Sequence, residues 1–459
     1  MVVLQATSGT PESAFIKRLF KDLETKQVRY AVMRNHATLP ESSAGSDLDI
    51  LVAPDEMEAA KKVLLEAVKA ENGKVIGLAR TCNFFELYVI GISFGQWWGL
   101  CVELYSSLAY KSAMPIVDLD ALYERFERHN NISVIPKDIG NTIGFIKEIL
   151  SNGEPRKDKP QYQTSASFML SHNWPLFQEV FRPLGLCGVR HLTNVLRGTT
   201  VLEITSSVRR LRLCLLATAL AGNTFHFFYK RLRHDLFKVG RFIRPPGAVV
   251  AILGVDGVGK STLIQSILPS LNAATHNAVF IQHLRPGWLP PLSLLKGQKG
   301  ILAGPVVDPH GAIPSGFVGS LCRLAYLTLD YMFGYWLIVR PKIAKRPALI
   351  IFDRYAYDMA LDPSRFRIGV SGRVAGWFAA LAPKPDLIIC LHGNPVTIAA
   401  RKQELPLEET RRQVEALRDF ASREPRAVMI STDTSVEDTR DQVLQALCDV
   451  LQSRSGIKH

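Results

Sequence analysis

Gly254-Val255-Asp256-Gly257-Val258-Gly259-Lys260-Ser261-Thr262 decides how the C-terminal half of this chain folds. The stretch fits GxxxxGK[ST], follows the apolar run Ala248–Leu253 and opens onto Leu263-Ile264, so it reads as a strand, a glycine-rich turn and a helix start. Each residue type has a physical reason. Gly254, Gly257 and Gly259 let backbone N–H groups turn inward around phosphate oxygens, and the helix N-terminus adds the positive end of its dipole. Lys260 would neutralise β- and γ-phosphate charge, the Ser261 hydroxyl would hold Mg²⁺, and Thr262 continues the cradle. A phosphate-binding loop for ATP is the expectation.

Working outward, strand-length apolar runs recur at Ala248–Leu253, Ala278–His283, Ala348–Phe352, Asp386–Leu391 and Ala427–Ile430, with longer helical stretches between them. That alternation predicts an α/β domain with a parallel sheet covered on both faces. Pro245-Pro246-Gly247 marks where it begins. Ile350-Ile351-Phe352-Asp353-Arg354-Tyr355 ends a strand in an acid and a base. Ligands of an open parallel sheet bind beyond the carboxyl ends of its strands, so both side chains should arrive beside the cradle. Asp353 would contact Mg²⁺ or the acceptor; Arg354 would clamp a phosphate.

These residues resemble the thymidylate kinase family of nucleoside monophosphate kinases. The likeness rests on Gly254–Thr262, on His283-Leu284-Arg285-Pro286-Gly287, on Asp353-Arg354-Tyr355, on Pro385-Asp386-Leu387, on Arg401-Lys402 and on Thr432-Asp433-Thr434. It implies a five-stranded parallel sheet wrapped by helices, ATP as donor, Asp256 near the acceptor, and Arg285 and Arg354 on the acceptor's phosphate. Arg401, or Arg411 and Arg412, would close over the transferring group as lid cations. The chain departs from the family at Asp330-Tyr331, where an Asp-Arg pair is usual, at Asp358, in the segment Asp362-Pro363-Ser364-Arg365-Phe366-Arg367, and in the loop from Pro290 to Pro314. The variant resembles thymidylate-kinase-like proteins of bacterial surface-polysaccharide loci.

Upstream, residues 1–150 mix helical patterns with strand-like runs at Val28–Arg34, Leu48–Ala53, Phe84–Ile92 and Leu100–Tyr105, an α+β pattern. Gly45-Ser46-Asp47-Leu48-Asp49-Ile50 puts Asp47 and Asp49 on one face of a strand, because strand side chains alternate. With Glu103 on a second strand, they form a candidate set of ligands for divalent metal. The arrangement resembles the nucleotidyltransferase fold of the DNA polymerase beta type, with Arg34-Asn35 where that family has a turn of small residues. Residues 151–244 read as a helical, basic connecting region, giving three sections: 1–150, 151–244 and 245–459.

A chain of 459 residues with a formal charge of +13 suits anionic partners without choosing among them. Between Arg209 and Arg244, nine cations face one acid, Asp235. The apolar run Leu213–Ala221 is shorter than the ~20 residues a membrane span needs. It reads as a buried packing helix, with peripheral contact to an anionic membrane through 209–244 as the alternative. No nucleic-acid module accompanies the charge, and no nucleic acid is expected. Seven scattered cysteines, with no CxxC pair and no histidine at metal-ligand spacing, suit a reducing, cytoplasmic compartment. No export signal interrupts that expectation.

The reading that follows is an ATP- and Mg²⁺-dependent kinase acting on a small phosphate acceptor, a nucleotide or a sugar derivative. One alternative is a bifunctional kinase and nucleotidyltransferase activating a sugar precursor; another is an ATP-gated binding module at the membrane. The oligomeric state stays open, a homodimer included.

Overall fold

The computed structural model describes residues 10–198, 200–291, 315–401 and 405–456. Of the segments singled out by sequence, Lys402 and residues 292–314 of the Pro290–Pro314 loop lie outside the described residues. The chain divides into two compact units: Met1–Lys74 with Leu78–Gly240, and Arg241–His459 with Val75–Gly77.

The first unit is built on a mixed seven-stranded sheet. Its strands are β1 (Tyr30–Val32), β2 (Leu48–Val52), β3 (Lys74–Thr81), β4 (Phe84–Ser93), β5 (Gln96–Tyr105), β8 (Glu127–His129) and β9 (Ile132–Val134), in the order β3-β4-β5-β2-β1-β9-β8. A separate ribbon pairs β6 (Ala109–Tyr110) with β7 (Met114–Pro115). β2 is buried along its whole length, and it runs parallel to β5 with Asp49 opposite Glu103. That register is what sets two carboxylates side by side. The helices Lys137–Asn152, Pro160–His172, Trp174–Val180 and Gly185–Arg197 share one hydrophobic core, with Phe145, Phe177 and Phe181 among its fully buried side chains.

The second unit is an all-parallel sheet of five strands: β10 (Ala248–Leu253), β11 (Val279–His283), β12 (Leu349–Asp353), β13 (Leu387–His392) and β14 (Ala427–Ser431). The order is β11-β12-β10-β13-β14, with helices in every connection that the described residues cover. Ala248-Val249-Val250-Ala251-Ile252-Leu253 is buried at every position, as expected of a central strand covered on both faces. The parallel register aligns Ile252, Asp353 and His283 across three neighbouring strands. All five carboxyl ends therefore meet at one edge.

One expectation is corrected. The segment Val201–Ile243 forms one long helix broken at Asn223, but it is not a buried packing helix: its buried positions are Ser207, Val208, Leu211, Leu215 and Phe227. The apolar run faced by arginines is too amphipathic to enter a core on all sides. The cysteines, read as suiting a reducing compartment, include one bonded pair, Cys187 with Cys214. His191, one helical turn after Cys187, lies beside both sulfurs, a spacing that only the helix Gly185–Arg197 makes visible.

Candidate active site

The glycine-rich turn leaves β10 and enters the helix Lys260–Thr275. Gly257 and Gly259 adopt φ of 86° and 103°, a left-handed backbone that costs a residue with a Cβ of order 1 kcal/mol or more. At Gly254 the constraint is space. A Cβ there would sit 2.8 Å from Val258 Cγ1 and 3.0 Å from the Leu391 carbonyl. The turn thus lies against β13 closely enough to admit only glycine.

Lys260 is buried and folds back over the turn, donating from Nζ to the carbonyls of Gly254 at 2.8 Å and Val255 at 3.0 Å. Asp256 Oδ1 lies 3.7 Å from the same ammonium. Burial and the Arg354 guanidinium lower the Lys260 pKa to about 8, against the attraction of Asp256. Ser261 and Thr262 head the helix with their side chains exposed, where a ligand can reach them.

Asp256 is the hub of the charged cluster beside the turn. Its two oxygens accept from the guanidinium groups of Arg354 and Arg365. Burial would raise its pKa, but Arg354, Lys260 and Arg365 outweigh it and hold the carboxyl at about 2. Arg354 is itself buried and reaches Asp358 at 3.3 Å, while Asp358 also accepts from the Tyr355 amide at 3.0 Å. Asp358 is therefore committed to holding the strand end in shape. Burial pushes its pKa up despite Arg354. Arg365 is braced by Asp362 at 3.4 Å. Sequence reading quoted Asp362–Arg367 as unusual without seeing that it returns a second guanidinium to Asp256; the signal available was the cation three residues after an acid.

Asp353 ends β12 with Oδ2 at 3.4 Å from His283 Nδ1, and its Oδ1 is buried without a hydrogen-bond partner. Burial opposes ionisation, yet His283, Lys260 and Arg354 lower its pKa. An ionised carboxylate with an unused oxygen beside Lys260 suits Mg²⁺, and Ser261 supplies the hydroxyl such an ion takes in loops of this type.

Arg285 does not point freely into the site. Its Nη1 donates at 3.2 Å to Asp330, which is fully buried and also accepts from the amides of Gly287 at 3.1 Å and Leu289 at 2.6 Å. Gly334, one turn further along the helix Phe317–Gly334, leaves room for Pro286, since a Cβ there would be 2.5 Å from Pro286 Cβ. Asp330 is thus the organiser of the Arg285–Leu289 loop, a role invisible in the sequence. Tyr331 adds a hydrogen bond to the Leu284 carbonyl.

The lid cations are placed less tightly. Arg401 ends the helix Pro395–Arg401 and is exposed. Arg411 and Arg412 pair with Glu408 at 3.4 Å and Glu409 at 2.6 Å on their own helix, Leu407–Arg423. At the end of β14, Asp433 accepts from the Asn394 amide at 2.8 Å, tying the last two strand ends together.

In the first unit, Asp49 is buried and accepts from Arg34 Nε at 2.5 Å, and Arg34 also donates to the Tyr162 hydroxyl at 2.9 Å. Glu103 accepts from the Tyr105 hydroxyl, whose ring carries the Lys147 ammonium 4.1 Å from its centroid. Burial opposes ionisation of Asp49, but Arg34 and Lys147 lower its pKa; burial and Asp49 raise that of Glu103. The carboxylate charge is already balanced by the protein's own cations. Arg34 occupies Oδ2 of Asp49 while its Oδ1 is buried without a hydrogen-bond partner, so a divalent ion held by Asp47, Asp49 and Glu103 would have to share Asp49 with Arg34.

No family model matches the chain. The thymidylate kinases of Mycobacterium tuberculosis strains CDC 1551 / Oshkosh and ATCC 25618 / H37Rv are each 28% identical over 162 residues, 31% of this chain. The chain spans 64% of the length of these curated relatives. Among solved structures, a thymidylate kinase from Ehrlichia chaffeensis covers 44% of this chain and 100% of its own at 15% identity, TM-score 0.31. One from Candida albicans covers 43% and 90% at 15% identity, TM-score 0.33. Part of this chain is similar to thymidylate kinases.

Proposed function

We propose that residues 245–459 transfer the γ-phosphoryl group of ATP to a small acceptor that bears a phosphate, a nucleoside monophosphate or a related sugar derivative. The observation that carries the reading is the buried Lys260 lying over a glycine turn, with Asp256, Arg354 and Arg365 locked together immediately beside it. Phosphoryl transfer needs little covalent chemistry from protein; it needs positioned cations on an in-line geometry. Lys260 would bind the donor phosphates, and the amides of residues 254–262 would orient them. Arg354, with Arg285, would bind the acceptor's phosphate. Asp256 keeps the Arg354 guanidinium turned toward the cradle. Mg²⁺, when bound through Ser261 and Asp353, would neutralise charge on the β- and γ-oxygens. Arg401 would approach from the lid.

Thymidylate itself is not the favoured acceptor. Asp330 is spent on Arg285 and two loop amides, and Asp358 on Arg354 and Tyr355, so neither presents a polar edge to a base. The test is acceptor-dependent ADP release from the full chain, with Lys260→Ala as the control. Turnover indifferent to every nucleoside monophosphate and sugar phosphate supplied would defeat the reading.

The bifunctional alternative draws on one observation, the Asp49–Glu103 register between parallel strands. It requires Asp49, whose Oδ2 is held by Arg34, to offer its unpartnered Oδ1 to a metal or substrate. Retention of full output by an Asp47→Ala, Asp49→Ala double variant would remove it.

A further inference from the structure

The helix Val201–Ile243 packs Val208, Leu211 and Leu215 into its unit's core but, beyond Asn223, turns an apolar stripe outward. After the break at Asn223, Phe225, Phe228, Tyr229, Leu232, Leu236 and Val239 follow one another at three- and four-residue spacing, which places them along one face. That face looks outward: Phe225 is 83% exposed, and Leu232 and Leu236 are 61% and 59% exposed. The opposite face, apart from buried Phe227, meets the body of its unit with polar groups. His234 Nδ1 lies 3.0 Å from the Ser112 hydroxyl, and Arg231 pairs with Asp235 at 3.2 Å. In a helix that only packs, these two faces would be exchanged.

The charges say what the stripe is for. The segment that carries it is basic, with Lys230, Arg231, Arg233 and Lys238 against the single acid Asp235; Arg233 borders the stripe and the other three lie round toward the polar face. Arg233 stacks over Tyr229 at 5.6 Å and Phe237 at 5.8 Å, so its aliphatic stem covers apolar surface while its charge sits at the rim. An anionic lipid surface suits both features: aromatic and branched side chains enter the acyl boundary, and the cations of the same segment reach phosphate headgroups. The most apolar window of the helix has a mean hydropathy of 1.2, and the helix is long enough to cross a bilayer. The break at Asn223 and the cations within the segment favour lying in the interface instead.

We propose that Phe225–Val239 is an interfacial docking helix for an anionic membrane. The surface belongs to the first unit and owes nothing to the kinase reading.

The experiment is co-sedimentation of the full chain with vesicles of phosphatidylcholine and phosphatidylglycerol, mixed 3:1, and with phosphatidylcholine alone. Wild type should pellet with the anionic vesicles, and the bound fraction should fall as salt is raised past ~0.1 M, where the screening length shrinks to ~10 Å. Phe228→Glu with Leu232→Glu should lower the partition by at least about tenfold on both vesicle types, because the acyl-facing residues are gone. Arg233→Gln with Lys238→Gln should weaken binding to the anionic vesicles alone. All four positions are solvent-facing or rim residues, and an unchanged melting temperature confirms that the variants fold. A wild type that stays in the supernatant with anionic vesicles at low salt overturns the proposal. So does a wild type that is dimeric through this helix, becomes monomeric on Phe228→Glu with Leu232→Glu, and binds neither vesicle type. Equal binding of nucleic acid by wild type and the glutamate variant, with none to vesicles, would assign the cations to another partner and overturn it as well.

Discussion

Asp256 and Arg354 are bonded to each other at the mouth of the cradle, the acid rising from the glycine turn after β10 and the base from the end of β12. Because β10 and β12 are hydrogen-bonded neighbours, the pair closes the gap between two strand ends, and Arg365 locks the acid from the other side. Removing the acid while keeping its shape should therefore release two guanidiniums at once. Asp256→Asn is expected to lower kcat/KM for the acceptor by about 10²–10³, in line with loss of one preorganised charge, while ATP affinity changes little. Steady-state kinetics with each substrate varied separately would show which of the two moved.

The same acid reports on stability. Its folded-state pKa of about 2 lies below the ordinary carboxylate value, so it contributes stability that is complete above about pH 4 and is lost as the pH falls from there toward 2. Asp256→Asn should flatten the acid limb of the unfolding profile of the second unit. Melting curves between pH 2.5 and 5 measure this, and identical slopes for both proteins would contradict the role given to Arg354 and Arg365.

Lys260 gives a prediction with two opposite signs. Its pKa of about 8 in the free protein is below the ordinary lysine value, so between about pH 8 and 10.5 the unfolded chain holds more protons than the folded one. Stability of the free protein should rise with pH across that window. Nucleotide binding needs the ammonium, so affinity for Mg-ATP should fall over the same window, by up to about tenfold per pH unit. Calorimetric titration in buffers of different ionisation heat would detect the proton taken up on binding. Lys260→Met should abolish both trends.

Asp330 is expected to matter as a positioning residue. It is fully buried and holds Arg285 together with two loop amides. Asp330→Ala leaves two N–H groups and a guanidinium without their acceptor, a loss of about 3–5 kcal/mol for a broken buried pair. Asp330→Asn keeps one acceptor and should cost less, and it should raise the acceptor's KM with kcat largely retained. A change in kcat alone would place Asp330 in the chemistry instead.

What the sequence made legible was set by local pattern. Ala248–Leu253 emerged as a strand because six successive apolar residues precede a turn that nothing else could fill, and the strand starting at Ala427 was equally clear. β3 was not read, because Lys74–Thr81 mixes buried and exposed positions with a glycine and an arginine. The site split along the same line. Lys260 and Arg354 sit in contiguous motifs, whereas Asp330 and Arg365 act through contacts across many residues, Arg365 announced only by an acid three residues before it and Asp330 by nothing local. The outward stripe on Val201–Ile243 was half legible: its composition is in the sequence, but the direction it faces is decided by tertiary packing.

Asp49 and Arg34 supply the last test, because their ion pair occupies one oxygen of an acid that the metal reading needs. The acid is nearly inaccessible and the two groups are 2.5 Å apart, with Lys147 close by. Arg34→Met leaves a buried carboxylate short of one cation and is expected to destabilise the first unit by about 3–5 kcal/mol. If the guanidinium occupies the place a divalent ion would take, Mn²⁺ should raise the melting temperature of Arg34→Met and leave wild type unmoved. Asp49→Asn in the same background should abolish that rescue, since the neutral amide no longer repays the ion's dehydration. Stabilisation of wild type by Mn²⁺ that disappears in Asp49→Asn would show instead that Arg34 yields to metal, and would restore the carboxylate set Asp47, Asp49 and Glu103 as a working centre.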